Sequence, residues 1–414
     1  MNIKTQSLIR LPKFLNAENL RGPVFYKDFV VMILLFVVFI PSSFNHDINI
    51  ISLNVIIPLL FFYSIYKSSY LFGKFRAFRL FLVLFCWMLL SGIVATDTDL
   101  YLNEIKKILQ CVMFIFVLIR FSRSNFRYIY YFYVLYIIKF IYIFYYAYQN
   151  GLFTVDVNSE RFNLDELNAN VFGYFGFFGL VGSFLLATYT QKLQKTFYNI
   201  LFFIIFGLVI TAGILAASRA TLLISVIAFG LLMMIKYLYP ITIRSLIPIV
   251  LMVLSMVFIG KNLDNTLQNS FVKGRFDTKE DSRFELLSKA FDVGKDNLVL
   301  GVGSGNFVLY NQTRQFSHNS FAELWANNGV VALILFVLIL AHALKKIREY
   351  LKLGGNKKNA LYFLVIWASY CVYNFFYVFY INFFMLAFIF LIMMHLEYLK
   401  IVRVSLIKKN QLSN

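Results

Sequence analysis

The chain has 414 residues, of which 60% are hydrophobic, 19% aromatic and only 14% charged. A soluble domain carries about 25% charged residues, so this composition excludes a soluble globular protein and indicates a chain that crosses a membrane many times. The formal charge of +19 falls in short clusters between apolar runs, as in cytoplasmic loops, and that placement argues against a nucleic-acid binder.

Residues 1–27 hold Lys4, Arg10, Lys13, Arg21 and Lys27, and the apolar run behind them has no small-residue cleavage site. They read as a cytoplasmic segment, with no cleavable signal peptide. Apolar runs of about 17–25 residues then read as helical spans. These fall near 28–46, 48–66, 78–95, 105–120, 126–148, 169–189, 197–217, 219–238, 241–260, 321–343, 360–378 and 380–398, the last two divided only by 380–382. With the N-terminus inside, the inner segments collect Lys67, Lys74, Arg76 and Arg79, then Arg120, Arg123 and Arg127, then Lys192, Lys195, Lys236 and Arg244. They also take the basic residues of 345–358 and 400–409, whereas the short outer loop 97–104 is acidic. An even number of spans with both termini cytoplasmic fits this charge bias. The expectation is an all-α polytopic membrane protein of about twelve transmembrane helices, with 1–414 as a single integral-membrane domain. Residues 261–321 form a long outward-facing loop, containing a short helix, between the ninth and tenth spans.

Candidate residues follow in the same order. Cys86, Cys111 and Cys371 lie in apolar spans without metal-ligand spacing and read as small buried apolar residues. Asp97-Thr98-Asp99 places two carboxylates in an outer loop, either for a divalent metal or simply solvated. Lys139 stands mid-span, where an ionisable group marks function or a pairing with a neighbouring helix. Arg161 and Asn170 flank the start of the sixth span. Arg219, in Ala216-Ala217-Ser218-Arg219-Ala220-Thr221, opens the eighth span after a tight turn near 211–217. Its guanidinium fork suits a diphosphate, and the plainer alternative is a snorkelling arginine at a helix end.

The loop 261–321 carries eight Lys/Arg and seven Asp/Glu. Within it, Ser282-Arg283-Phe284-Glu285 matches a capping box, and Phe284, Leu287 and Phe291 recur at helical spacing. That predicts a surface helix over 283–293, whose positive N-terminus and Arg283 suit an anion. Lys273 and Arg275 are secondary candidates of the same kind. Gly301-Val302-Gly303-Ser304-Gly305 lacks the ending of a phosphate-binding loop and reads as a tight turn. His318 is the side chain best suited to take a proton from a hydroxyl near neutral pH. The alternative is an interfacial histidine at a helix start, with Ser317 or Asn319 as the cap.

Three pieces together resemble the O-antigen ligase / O-antigen polymerase family of bacterial envelope proteins. They are Ser218-Arg219-Ala220 opening a helix, Asp281-Ser282-Arg283-Phe284 through Gly301-Val302-Gly303-Ser304-Gly305-Asn306-Phe307, and His318-Asn319 followed by Gly329. The resemblance is strongest over 160–340; Ala332 and Leu333 depart from it, standing where ligases often have Gly and Thr. It implies a GT-C-like fold and a metal-independent, inverting glycosyl transfer without cofactor on the outer leaflet of the bacterial inner membrane. The implied donor is a glycan on undecaprenyl diphosphate, and the acceptor a glycan or lipid A core. His318 would act as base and Arg219 and Arg283 would neutralise the leaving diphosphate, with Arg161, Asn170, Arg275 and Asn319 binding substrate. The bilayer, a chain-length regulator or a second copy of the chain complete the implied partners. A repeat-unit polymerase is expected ahead of a ligase. A flippase for the same lipid-linked glycan is the more distant alternative, and would need related halves and several ionisable residues inside its spans.

Overall fold

A computed structural model describes residues 24–40, 46–66, 75–149, 163–164, 167–190, 192–215, 219–240 and 282–412. Its elements are α1 (Val24–Phe39), α2 (His46–Ile51), a π-turn (Ser52–Ile56), α3 (Ile57–Tyr66), α4 (Arg76–Leu90), a 3-10 turn (Ser91–Val94), α5 (Thr98–Ser124) and α6 (Arg127–Gln149). A two-residue antiparallel pair, β1 (Asn163–Leu164) with β2 (Leu167–Asn168), precedes α7 (Ala169–Tyr189). Then come α8 (Lys192–Leu215), α9 (Arg219–Leu238), α10 (Ser282–Asp296), a 3-10 turn (Asn306–Tyr310), α11 (Ser320–Lys352), α12 (Lys357–Tyr373) and α13 (Phe383–Leu412). Among the described residues the architecture is therefore all-helical apart from that small pair.

Seven helices among the described residues are long and apolar enough to cross a membrane: Asp47–Tyr66, Arg76–Val94, Arg127–Gln149, Gln194–Gly213, Thr221–Leu238, Ser320–Lys352 and Phe383–Ile407. The shorter apolar helices Phe29–Phe39 and Gly173–Tyr189 join them. The expected span 241–260 and the first part of the polar loop, 261–281, lie outside the described residues. The division expected at 380–382 is present as a non-helical stretch, 374–382, between α12 and α13.

Three local readings change. The acidic segment 97–104 is not a loop but the first two turns of α5, because Asp97 is its N-cap and accepts from the N–H groups of Asp99 (2.9 Å) and Leu100 (3.0 Å). Acidic residues belong there, beside the positive end of the helix dipole. Helix α8 runs on through Thr211 to Leu215, so those residues belong to the helix and not to the turn expected at 211–217; residues 216–218 lie outside the described ones. Cys86 faces outward on α4, while Cys111 is buried and Cys371 half-buried. A span that is apolar all round does not reveal from its sequence which side faces lipid.

The core is aromatic and centres on α13, where every residue from Phe384 to Leu396 is buried. It packs against α5 and α11. Helix α7 packs on α6 and α8 through glycines: a Cβ on Gly182 would lie 3.1 Å from the Tyr133 carbonyl oxygen, so only a small residue permits that approach. Lys139 is fully enclosed on α6. Its Nζ donates to the carbonyl of Phe39 at 2.9 Å and lies 3.4 Å from the centroid of the Phe384 ring. Phe39 ends α1, so the ammonium caps a helix C-terminus and rests on an aromatic face, two favourable settings for a buried cation. At the end of the bundle remote from the polar loop, Arg123 and Lys346 pair with Glu397 (2.7 and 3.4 Å) and Lys400 with Glu349 (3.0 Å).

Candidate active site

The polar loop folds onto the bundle through glycines and neutral hydrogen bonds. Helix α10 packs its Leu287, Ala290 and Val293 on Ala322 and Ala326 of α11. The Phe291 ring lies 5.5 Å from that of Trp325, and Val299 sits against Gly329. Arg283 is half-buried in the first turn of α10. The residue stripe Arg283, Leu286, Leu287 and Ala290 follows helical spacing, so the arginine is on the face turned to α11.

Behind α10 the chain turns repeatedly, with φ of +66° at Gly301, +95° at Gly303 and +76° at Gly305. Left-handed angles are cheap only for glycine, which explains the glycine-rich stretch as turns rather than a nucleotide cradle. The turns dock on a break in α11: Gly329 has φ 76° and ψ 178° inside an otherwise continuous helix. The break frees local backbone groups. Val302 N–H donates to the Ala326 carbonyl (2.9 Å) and Val330 N–H to that of Leu298 (2.8 Å). Asn327 Oδ1 accepts from Phe307 N–H at 2.8 Å. Asn328 Oδ1 accepts from Ser91 Oγ (3.0 Å) and Ser304 Oγ (2.5 Å), while its carbonyl accepts from Trp87 Nε1 (2.9 Å). Asn306 Oδ1 accepts from Thr96 Oγ1 (3.0 Å) and Asp97 N–H (2.7 Å). The loop is thus fastened to α4 and to the start of α5.

His318 stands just before α11, half-buried and with a left-handed φ of +56°. Its ring lies 4.4 Å from that of Phe316, which meets Tyr377 at 6.0 Å. Asn319 is the N-cap of α11, its Oδ1 accepting from Phe321 N–H (2.9 Å) and Ala322 N–H (3.0 Å) and its Nδ2 donating to the Phe375 carbonyl (3.4 Å). Ser320 is held by the α12–α13 turn. Its N–H donates to Asn374 O, its Oγ donates to Tyr377 O, and Phe379 N–H donates to that Oγ, each at 2.8 Å.

From His318 a series of contacts leads to the starts of two other helices. Tyr377 meets Tyr174 of α7 at 4.9 Å. The neighbouring Gly173 accepts from Tyr373 Oη at 3.3 Å, and a Cβ there would lie 1.9 Å from Thr221 Oγ1 of α9. Thr221 is two residues into the helix that Arg219 opens, and Gly173 is one turn into the helix that contains Asn170. The backbone positions of Asn170 and Arg219 are thereby brought to the same end of the bundle as His318, although their side chains lie outside the described ones. Arg161 and Arg275 lie outside the described residues, as does Lys273.

Two carboxylates that sequence reading passed over sit beneath His318. Glu323, 4% exposed on α11, accepts from Ser317 N–H at 2.6 Å and from Asn327 Nδ2 at 3.1 Å. Glu104, 7% exposed on α5, accepts from Tyr380 Oη at 3.3 Å. An acid within an apolar helix is the available signal: Glu323 lies just inside the expected span 321–343, and Glu104 closes the acidic segment 97–104.

Residues 203–337 match the family model described as O-antigen ligase. The matched stretch contains Arg219, Arg275, Arg283, His318 and Asn319, and stops short of Arg161 and Asn170. No curated protein matches the chain.

Proposed function

We propose, from the O-antigen ligase/polymerase family that this match supports, that the chain transfers a glycan from undecaprenyl diphosphate on the outer leaflet of the bacterial inner membrane. The carrying observation is the gathering of His318 with the starts of α7 and α9 at one end of the bundle. Helix starts attract anions through their free N–H groups and dipole. A histidine among them puts a base beside a place fit for a diphosphate.

In this reading the imidazole of His318 takes the proton of the acceptor hydroxyl. The oxygen attacks the anomeric carbon, and the bond to the diphosphate breaks with inversion. The diphosphate leaves with the electron pair, and Arg219 and Arg283, helped by Arg161 and Arg275, hold the charge that develops. The activated donor supplies the driving force. In this reading the chain has twelve spans, both termini inside and residues 261–321 outside, which would put this end of the bundle at the outer surface; the basic ion pairs at the opposite end suit the cytoplasmic side.

The acceptor divides the family in two. Ala332 and Leu333, which depart from the ligase pattern, support a repeat-unit polymerase. The matched description, O-antigen ligase, supports transfer to lipid A core instead. Incubating purified protein with an undecaprenyl-diphosphate-linked glycan, without nucleotide, separates them. Chain lengthening on the donor alone identifies a polymerase, and product only after adding lipid A core identifies a ligase. His318→Ala is expected to abolish either product while the protein still inserts in the membrane. Product from neither mixture would refute the transferase.

A further inference from the structure

We propose that Glu323 is a positioning residue for His318, clamping the backbone of Ser317 so that the histidine is held in its left-handed conformation at the mouth of the site. This rests on His318 being the base.

The geometry gives Glu323 a task that helix capping does not explain. Asn319 already caps α11, satisfying the N–H groups of Phe321 and Ala322. Ser320 is fixed by its three bonds to the α12–α13 turn. The helix start therefore stands without Glu323. Its carboxylate reaches back past the cap to the N–H of Ser317, at 2.6 Å, so the bond spans His318 and fixes the chain on its far side. Ser317 is itself buried, and its Oγ donates to the Asn319 carbonyl at 3.1 Å. His318 is thus pinned on both flanks at φ +56°, a region that a residue with a Cβ leaves when it is free to.

Burial makes the clamp stiff. Glu323 is 4% exposed, and among the described residues it forms no ion pair with Lys, Arg or His. Both oxygens instead take neutral donors, Ser317 N–H and Asn327 Nδ2. Hydrogen bonds to a buried polar group are costly to leave unmade. The Asn327 bond adds a second consequence. Asn327 Oδ1 holds Phe307 N–H at 2.8 Å, so the carboxylate ties the histidine segment to the same residue that anchors the glycine turns. The clamp sets where the imidazole stands relative to the loop bearing Arg283.

The test compares wild type, Glu323→Ala, Glu323→Gln and His318→Ala as full-length purified protein, with undecaprenyl-diphosphate-linked glycan as donor. Glu323→Ala should lower kcat on the order of 100-fold, the effect of a misplaced catalytic group, while KM stays near wild type. Hydrogen exchange should speed up at the Ser317 amide and remain unchanged in α5 and α13. Glu323→Gln keeps an acceptor for that amide, so it should retain slow exchange there and recover much of kcat. Wild-type kcat in Glu323→Ala beside an inactive His318→Ala would overturn the proposal alone. So would a loss of kcat with Ser317 exchange unchanged, or equal loss in the Ala and Gln variants. Wild-type activity in His318→Ala would instead remove the base on which the proposal rests. A Glu323→Ala protein that fails to fold leaves the Gln variant decisive: rapid Ser317 exchange with full kcat in it refutes the clamp.

Discussion

Gly329→Ala tests how the outer loop is registered on the bundle. Gly329 has φ 76° and ψ 178°, a region open essentially to glycine alone, and holding alanine there costs about 1–3 kcal/mol. The added Cβ would also lie 1.9 Å from the Val299 carbonyl oxygen, 2.3 Å from its carbon and 2.8 Å from Leu300 N. All three are backbone atoms, so no side chain can swing aside; overpacking of this kind costs about 1–3 kcal/mol more. The expected destabilisation is then about 2–6 kcal/mol. Relief requires residues 298–300 to retreat, which breaks the 2.8 Å bond from Val330 N–H to Leu298 O and loosens Gly301 from Asn327.

That retreat shifts α10, and with it Arg283, relative to His318. Glycan transfer should therefore fall along with stability. The assay is denaturant unfolding of the purified protein in detergent, alongside transfer from the lipid-linked donor. Gly207→Ala is the matched control, because nothing lies within 4 Å of a Cβ built at that helical glycine on α8. It should be neutral or stabilising by up to about 1 kcal/mol. If Gly329→Ala unfolds and reacts like Gly207→Ala, the break in α11 does not register the loop.

Arg219→Lys should be severely impaired in transfer, since lysine keeps the charge but loses the fork that binds two oxygens; near-normal rates in the same assay would reduce Arg219 to a membrane anchor. Lys139→Met should keep transfer and lose about 1–3 kcal/mol, the effect of leaving the Phe39 carbonyl unpaired. A transfer defect at wild-type stability would show that the lysine does more than close α1. Asp97→Ala should cost about 0.5–2 kcal/mol as a lost cap, with Asp97→Asn close to wild type because asparagine caps equally well. Loss of transfer in a stable Asp97→Asn protein, read by the same two measurements, would point to metal binding at 97–99 instead.

Much of the helical architecture is legible because a span is a local property: about twenty apolar residues suffice to announce one. What the sequence hides is pairing. Lys139 stands out as a charge in an apolar run, but its partner Phe39 lies 100 positions away and offers a backbone carbonyl, which no residue type advertises. Gly329 follows Asn327-Asn328 inside an otherwise apolar span, so the helix reads as unbroken; the close approach of Val299 to the break comes from another segment. Asp97 carries a local signal, an N-cap residue ahead of a helix, but it opens the polar segment 97–104 between two apolar runs, and such a segment reads as a loop.

The site divides the same way, between groups that hold and groups that act. Asn306, Asn327, Asn328, Ser91 and Ser304 fasten the loop with uncharged donors and acceptors, nearly all buried. Of the cations proposed to meet the diphosphate, Arg219 and Arg283 belong to the first turns of α9 and α10. Neutral buried bonds are little affected by salt or by the arrival of a dianion, whereas cations at an interface are strongly affected. A loop fixed by charge would loosen each time a charged substrate bound or left. Fixed by amides and hydroxyls, it would keep His318 and the start of α10 in register as the proposed substrate arrives and leaves.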